Sequence, residues 1–465
     1  MKLPHFAILF SSLLLGQSSF AAESPPNILV IVADDLGYAD VGFHPLHTDD
    51  VVTPHLDALA KESLICRQGY VSGHVCSPTR AGLMTGRYQQ RLGLYTGGEA
   101  GSGLPMAELI FPQHFKPAGY ATGQFGKWHL GPDPAWSPAL RGFDEVYGFL
   151  GRGAHDYFKL DDPSDPIYRR TEPVKDTGYL TDRLGEETTA FLTRHKESPF
   201  FAYLAFNAVH APLQAPADEL AKFSTGNPDR DARLAMGKRM DDAIGLVVRT
   251  LKEQGRWENT LLFFLSDNGG PLANSADNRP LRGGKHTDYE GGVRVPFLVS
   301  WPAKIKPGET QAVVSSLDIL PTALAAAGLT PLGGKPLDGR DLLPILTRSE
   351  TPPGRDLFWS GGEKEGWWAV RSGDWKLVTE KGRMMLFDLA TDAAEATDLA
   401  AKMPEKVAEL TKLHDAWLTG MAFPVNGGAK RASALEEGAK PTQKKPKADR
   451  KKNRAPAGPV DAPSK

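Results

Sequence analysis

The clearest pattern along the chain is a series of short apolar runs separated by amphipathic stretches. The stretches near 181–195 and 231–254 have helical periodicity, and Thr53 and Pro54 provide a helix cap followed by a first-turn proline. Four apolar runs have the β-branched and aromatic composition of buried strands: NILVIVA at 27–33, FFAYLAF at 200–206, TLLFFLS at 260–266 and VPFLVS at 295–300. Strands alternating with helices predict an α/β fold, with a large and mostly parallel sheet sandwiched by helices.

The pattern changes in the last quarter of the chain. Segments 367–378 and 383–390 predict antiparallel strands, and 403–421 predicts an amphipathic helix. We interpret 354–425 as a smaller C-terminal α+β subdomain that follows a main catalytic α/β domain over 22–353.

The N-terminus of the 465-residue chain has the layout of a cleaved signal peptide. Residues 1–21 begin with a basic Lys2, continue with an apolar run and end in small residues, including Ser19 and Ala21. We therefore expect cleavage near Ala21 and export to the periplasm or the extracellular space. The apolar run is too short for a membrane-spanning helix, and no later run approaches that length, so we expect no transmembrane segment.

The other end, residues 426–465, is a basic tail. From 429 to 465 it holds 11 Lys or Arg against four acids, in a chain whose formal net charge is −2. The segment is rich in Lys, Pro and Ala and lacks apolar periodicity, so we expect it to be disordered. Such a tail could bind polyanions, but solvation alone explains it, and we expect no nucleic-acid partner. The composition does not indicate an oligomeric state.

Polar side chains follow three of the predicted strands. Asp34 and Asp35 follow the first, Asp267 and Asn268 follow the third, and His210 comes shortly after the second. Ligand sites of open parallel sheets lie at the carboxyl ends of the strands. Asp and Asn also occur in ordinary strand-end turns, but two such pairs, without Cys and His at zinc spacing, favour a hard cation. We expect Ca²⁺ rather than Mg²⁺, because many protein oxygens converge.

The chain has only two cysteines, Cys66 and Cys76. In an exported protein they could form a disulfide, or one of them could be reserved for chemistry. Cys76 comes just before Pro78 and Arg80 at the predicted start of a helix. Free backbone N–H groups and the helix dipole favour an anion at such a position.

Further cationic residues lie on glycine-bounded loops. Lys127 and His129 belong to FGKWHLG, and Lys285 belongs to LRGGKHTDYEGG. Each one alone is typical of a surface residue. Together with Arg80 they describe a pocket for a tetrahedral oxyanion.

These motifs resemble those of a known family. CSPTR followed by LMTGR resembles the signature of the formylglycine-dependent sulfatases, in which the cysteine of Cys-x-Pro-x-Arg is oxidised to a formylglycine aldehyde. NILVIVADDLGYADVG, GYATGQFGKWHLG, LSDNGG and LRGGKHTDYEGGVRVPFLVSWP also occur in the family's order. The resemblance covers about residues 26–425 and implies the alkaline-phosphatase-like fold.

The resemblance also implies a role for each candidate residue. It places Asp34, Asp35, Asp267, Asn268 and the modified Cys76 around Ca²⁺, and Arg80, Lys127, His129, His210 and Lys285 around the sulfate. All of these positions hold the expected residue type, and His286 beside Lys285 is larger than expected there. A formylglycine-generating maturation enzyme is then an implied partner, and Cys66 is left as a buried, unpaired thiol.

The implied mechanism uses the hydrated formylglycine as the nucleophile. One of its hydroxyls, near the cation and Asp267, attacks sulfur and displaces the substrate alkoxide. His210, with Lys285 nearby, protonates the leaving group, and His129 takes a proton from the second hydroxyl so that sulfate is expelled. Arg80, Lys127, Lys285 and the cation balance the charge on the sulfate oxygens.

The loop at 141–160 resembles the variable substrate loop of carbohydrate-active members. It adds Arg152 and His155 as candidate substrate-binding residues, whereas its residues Phe143, Tyr147 and Phe149 are also typical of packing. We therefore expect a secreted sulfatase that acts on a sulfated carbohydrate.

Two alternatives stay open at this point. The first is a phosphodiesterase or phosphonate monoester hydrolase of the same superfamily, although no second cluster of His and Asp ligands is evident in the sequence. The second is a non-catalytic binder of sulfated glycans, in which Cys76 stays a thiol.

Overall fold

The computed structural model describes residues 24–97, 103–151, 153–348, 350, 353–361 and 366–425. The predicted signal peptide, the basic tail and Arg152 lie outside the described residues. Within the described part of the chain, no helix combines the length and the apolar character needed to cross a membrane.

A large mixed sheet forms the centre of the described structure. Its strands are β1 (Asn27–Ala33), β2 (Leu64–Tyr70), β3 (Ala121–Lys127), β4 (Glu145–Phe149), β5 (Ile167–Arg169), β6 (Glu172–Val174), β7 (Phe200–Ala205), β8 (Thr260–Ser266), β9 (Phe297–Ser300) and β10 (Gly308–Ser315). They lie in the order β10-β2-β9-β8-β1-β7-β3-β4-β5-β6. The central strands β8, β1, β7, β3 and β4 are parallel, and β9 is antiparallel to β2 and β8. The mostly parallel sheet predicted from the apolar runs is confirmed.

Helices cover both faces of this sheet. They are α1 (Pro54–Lys61), α2 (Cys76–Thr85), α3 (Phe111–Phe115), α4 (Leu180–Arg194), α5 (Ala217–Leu220), α6 (Pro228–Glu253), α7 (Glu290–Val293), α8 (Ile319–Ala326), α9 (Leu343–Arg348) and α10 (Pro404–Leu418). Alternate residues of β1 enter opposite cores, because successive strand side chains point to opposite faces. Val30 packs with residues of α2, α3 and α8, whereas Leu29 and Ile31 pack with residues of α1, α4 and α6.

The C-terminal segment forms a second, antiparallel sheet. Its strands β11 (Asp356–Ser360), β12 (Trp368–Ser372), β13 (Trp375–Glu380) and β14 (Arg383–Asp388) pair in chain order. Leu410 of α10 packs on one face, and Trp359 on the other face packs with Tyr70 and Val293 of the main domain. The predicted α+β character is confirmed, while the boundary at 353 and 354 stays a prediction.

The start of α1 corrects one detail of the sequence interpretation. Thr53 occupies the N-cap position, but its side chain makes no capping bond and instead donates to Asp57 at 3.1 Å. Asp241 of α6 accepts the N–H groups of His55 at 3.1 Å and Leu56 at 2.7 Å. The free donors of the first turn are therefore satisfied by a distant carboxylate rather than by the local hydroxyl.

Candidate active site

The acidic candidates meet at the carboxyl edge of the central strands. Asp34 and Asp35 follow β1, and Asp267 and Asn268 follow the neighbouring β8, so parallel pairing brings them to one level. Asp35 accepts a hydrogen bond from Asn268 Nδ2 at 2.7 Å, and its own N–H donates to Asp267 Oδ1 at 3.3 Å. All four residues are at most 1% exposed.

Cys76 is the first residue of α2, and its thiol faces this acidic group. Its Sγ lies 3.5 Å from Asp34 Oδ1. Asp34, Asp35, Cys76 and His210 each place one potential ligand atom within 4.8 Å of the others. The structure thus joins the start of α2, the end of β1 and the segment after β7 at one point.

The cationic candidates surround the same point. Arg80, one turn after Cys76 on α2, donates to Asp267 Oδ2 through Nε at 3.0 Å. Lys127, at the end of β3, bonds Asp34, and Lys285 donates to Asp35 Oδ2 at 2.9 Å. Arg80 and Lys127 are fully buried. Burial of so much positive charge in one place is costly unless it is paired, and here each cation has an acidic partner.

The two histidines of the site have opposite tendencies to hold a proton. Burial, followed by the charges of Lys127 and Arg80, holds the pKa of His129 well below its ordinary value. Burial also opposes the charged form of His210, but the carboxylates of Asp34 and Asp35 and a hydrogen bond with Cys76 together outweigh burial and raise the pKa of His210. His129 is therefore suited to accept a proton, and His210 to hold one.

The thiol of Cys76 lies in an electropositive environment. Burial disfavours the thiolate, but the charges of Lys127 and Lys285 lower the pKa of Cys76 to about 7. Cysteines with this kind of surroundings are the reactive ones. Cys66 is different, because burial raises its pKa to about 12.

Both cysteines are free and buried, so the disulfide considered from the sequence is not formed.

The donor set fits a hard divalent cation. Asp34, Asp35 and Asp267 offer carboxylate oxygens, and Asn268 offers an amide oxygen, which are the ligand types that Ca²⁺ takes. The Asn268 side-chain oxygen is buried and has no hydrogen-bond partner among the described residues. A buried amide oxygen without a partner is rare, and a bound cation would satisfy it.

His155 is not brought to this cluster. His155 is 2% exposed. Its Nδ1 lies 2.6 Å from the carbonyl oxygen of Asp156, and its Nε2 lies 2.8 Å from the carbonyl oxygen of Asp165. No ring nitrogen is left for a sugar, so this geometry gives no support to a substrate-binding role for His155. Arg152 lies outside the described residues.

The aromatic side chains of the same loop are packing residues. Phe143, Tyr147 and Phe149 are each 1% exposed and belong to the two cores that flank the large sheet. The packing interpretation of these three residues is therefore confirmed.

Two tyrosines that the sequence did not single out support the site. Tyr157 donates its hydroxyl towards the carbonyl oxygens of Asn207 at 2.6 Å and His210 at 2.9 Å, which holds the segment after β7. Tyr203 of β7 lies 3.4 Å from Arg80 through its hydroxyl. No local pattern reveals either contact, because both partners are distant in the sequence.

Comparison with known proteins agrees with this geometry. Residues 26–329 match the family described as Sulfatase, and residues 284–418 match the family described as N-sulphoglucosamine sulphohydrolase, C-terminal. The chain belongs to the sulfatase family. It is therefore a hydrolase of sulfate esters, and the resemblance inferred from its motifs is confirmed.

Individual sulfatases share most of their length with this one. The N-acetylgalactosamine-6-sulfatase of Mus musculus is 34% identical over 377 residues, which are 75% of this chain and 71% of the relative. Arylsulfatase A of Homo sapiens is 34% identical over 441 residues, covering 86% of this chain and 84% of the relative. The crystal structure of Ps i-CgsB in complex with k-i-k-neocarrahexaose superposes with a TM-score of 0.82 at 34% identity, covering 89% of this chain and 98% of that one.

Proposed function

We propose that this sulfatase hydrolyses a sulfate ester of a carbohydrate, using a formylglycine made from Cys76 and a Ca²⁺ ion. The observation that carries the proposal is the position of Cys76. It begins α2, within 4.8 Å of the ligand atoms of Asp34, Asp35 and His210, and Arg80, Lys127 and Lys285 pair with the surrounding carboxylates. His155 is not part of this group, and Arg152 lies outside the described residues.

Asp34, Asp35, Asp267 and Asn268 would hold the cation. With the formylglycine and Ca²⁺ in place, the hydrated aldehyde would supply a hydroxyl nucleophile, and Ca²⁺ would withdraw charge from the sulfate oxygens. Side chains of the chain itself bind the sulfate, stabilise its charge and transfer the protons. Arg80, Lys127 and Lys285 bind and orient the sulfate, and their fixed positive charge stabilises the negative charge that grows on its oxygens.

The two histidines divide the proton transfers. His210, whose pKa is raised, holds a proton and gives it to the oxygen of the departing alcohol, which is a poor leaving group without an acid. His129, whose pKa is lowered, is neutral and accepts the proton whose removal allows sulfate to leave. Two titratable groups whose environments move their pKa values in opposite directions commonly act as the acid and the base of one reaction.

The names of the relatives support a carbohydrate substrate. One relative is an N-acetylgalactosamine-6-sulfatase, and one similar structure contains a neocarrahexaose. The signal-peptide pattern of residues 1–21 supports export, where sulfated glycans are met. The thiol does not become an aldehyde unaided, so a formylglycine-generating enzyme in the producing cell is part of the proposal.

The decisive experiment combines mass spectrometry with an activity assay. In protein from a host that makes formylglycine, the tryptic peptide 68–80 should carry an aldehyde at Cys76, and sulfated oligosaccharides should release sulfate. Active protein with an intact Cys76 thiol would contradict the formylglycine proposal. Hydrolysis of phosphodiesters without release of sulfate would contradict the assigned reaction.

A pair of variants separates chemistry from folding. Cys76→Ala should abolish sulfate release while the unfolding transition stays close to that of the wild type. Cys66→Ala is the matched control, since Cys66 is equally buried but lies in the core, and it should lose some stability and keep its activity. Loss of activity in both variants to the same extent would contradict the assigned nucleophile.

A further inference from the structure

A tryptophan of the C-terminal segment lies against the loop that delivers Cys76. Trp367, just before β12, is partly exposed, and its ring stacks on His74 with centroids 4.4 Å apart and planes 9° apart. His74 lies two residues before Cys76 and is 3% exposed. The stack therefore brings an aromatic ring from the residue before β12 to the start of α2.

The loop that carries Lys285 meets the same stack. His74 Nδ1 pairs with the buried carboxylate of Asp288 at 2.5 Å, and the backbone N–H of His286 donates to the His74 carbonyl at 3.1 Å. His74 is thus held from three sides by residues distant from it in the sequence. Such support fixes the position of the Trp367 ring.

His286 is the unusual residue of this group. Its backbone has φ 71°, a left-handed conformation that favours glycine and costs other residues free energy. The chain nevertheless has an exposed imidazole here, directly after Lys285. Strain at an exposed position next to a catalytic centre points to a function. His286 directly follows Lys285, whose Nζ lies 2.9 Å from Asp35 Oδ2, and this connection places His286 beside that centre.

We propose that Trp367 and His286 form a sugar-binding subsite at the mouth of the sulfate pocket, with His74 and Asp288 as its positioning residues. The inference rests on the proposed function, because its ligand is a further ring of the sulfated carbohydrate. A partly exposed indole packs against the apolar C–H face of a pyranose, and an imidazole hydrogen-bonds its hydroxyls. The ring that the subsite holds is the neighbour of the sugar bearing the scissile sulfate.

The first test compares two substrates in variants of the active enzyme. The substrates are 4-nitrophenyl sulfate, which has no second ring, and whichever hexasaccharide of chondroitin sulfate, heparan sulfate or carrageenan the wild type cleaves fastest. In Trp367→Ala and in His286→Gly, the ratio of kcat/KM for the hexasaccharide to that for the aryl sulfate should fall about tenfold, mainly through KM. Trp367→Phe, which keeps a flat ring, should recover most of the ratio.

A matched control removes the effect of backbone strain. Lys381 is another exposed residue with positive φ, 50°, but it lies in the turn between β13 and β14. Lys381→Gly relieves strain as His286→Gly does and should leave the ratio unchanged. If Trp367→Ala or His286→Gly changes kcat/KM equally for both substrates, or for neither, the proposed subsite is wrong.

The second test measures binding without turnover. In a Cys76→Ala background, calorimetry with the same hexasaccharide should show Kd rising about tenfold when Trp367→Ala is added. This measurement does not need formylglycine. An unchanged Kd refutes the subsite alone, whereas a wild type that releases sulfate from no ester refutes the proposed function.

Discussion

Gly153 leaves no room for a side chain beside the imidazole of His129. A Cβ at Gly153 would lie 2.8 Å from Cε1 and 3.0 Å from Nε2 of His129. The His129 backbone N–H also donates to the carbonyl of Leu150 at 2.8 Å. Leu150 and Gly153 therefore hold the backbone and the ring, respectively, of the residue proposed to accept the proton.

Gly153→Ala should displace His129 and lower kcat about a hundredfold, because small misplacements of a catalytic group are costly. Stopped-time assays of sulfate release give kcat and KM for comparison with Gly178→Ala. Gly153 and Gly178 both have positive φ, 75° and 105°, but a Cβ at Gly178 would have Arg183 Cδ at 3.6 Å as its nearest neighbour. Both alanines strain the backbone, and only the first meets a catalytic side chain. Equal kcat values in the two variants would show that Gly153 does not position His129.

Lys376 should be a main contributor to the attachment of the second sheet. It is fully buried on β13, with Nζ 2.8 Å from Glu290 Oε1 and 3.2 Å from Glu395 Oε1. Lys376→Met removes the cation between Glu290 and Glu395. Among the described residues, Glu290 then keeps only the more distant Arg294, at 3.4 Å, as an ion-pair partner, so the change should lower the free energy of unfolding by about 3 to 5 kcal/mol. Urea denaturation measures this change.

The control for Lys376 is an exposed ion pair of the same sheet. Arg383 is 72% exposed and pairs with Asp398 at 3.1 Å. Arg383→Met should cost no more than about 1 kcal/mol, since water screens such a pair. If the two variants lose the same stability, the buried network contributes nothing beyond a surface ion pair.

His44 should make the fold sensitive to acid. Burial, with the charges of Arg67 and Arg294, lowers the pKa of His44 to about 4, and its Nδ1 accepts the N–H of Leu46 at 3.2 Å. Between pH 6.5 and 4 the unfolded chain binds a proton that the folded chain does not bind. Acidification across this window should therefore cost up to about 3 kcal/mol of stability, and none above it.

The test of the His44 prediction is the slope of unfolding free energy against pH. His44→Asn keeps an acceptor for Leu46 and removes the titrating ring, so its slope between pH 6.5 and 4 should be shallower than that of the wild type. The difference between the two proteins should be constant from pH 7 to 8. Parallel curves through the whole range would show that His44 does not contribute to the acid sensitivity.

Calcium should stabilise the fold through Asn268. After chelation, adding Ca²⁺ at about a hundred times its Kd should raise the free energy of unfolding by about 3 kcal/mol, seen as a higher Tm. Asn268→Ala removes the unpartnered buried oxygen and should reduce this rise.

The control for the calcium effect is Asn227→Ala, which removes the side-chain cap of α6. It should lower Tm equally with and without Ca²⁺. A full calcium response in Asn268→Ala would remove that residue from the proposed ligand set.

The sequence alone predicts the central elements closely. NILVIVA and TLLFFLS become β1 and β8 at the predicted residues, and the stretch near 231–254 becomes α6 over Pro228–Glu253. Local apolar periodicity determines such elements, since a buried strand or an amphipathic helix needs that pattern wherever it packs. The meeting of Asp34 with Asp267 also follows, because parallel strands end at the same edge of a sheet.

Contacts between distant residues were decided only by the tertiary structure. No pattern near Thr53 indicates that Asp241, 186 residues away from His55, caps α1. Even the short-range bonds of the His155 ring to the carbonyl oxygens of Asp156 and Asp165 depend on how the loop folds back on itself. The stack of Trp367 on His74 and the fit of His129 against Gly153 likewise join segments that are neighbours only after folding. The sequence thus determined which strands and helices form and which residues bring chemistry to the sheet edge. Packing of those elements decided which side chains support, cover or extend the site, because that depends on distances that no local pattern encodes.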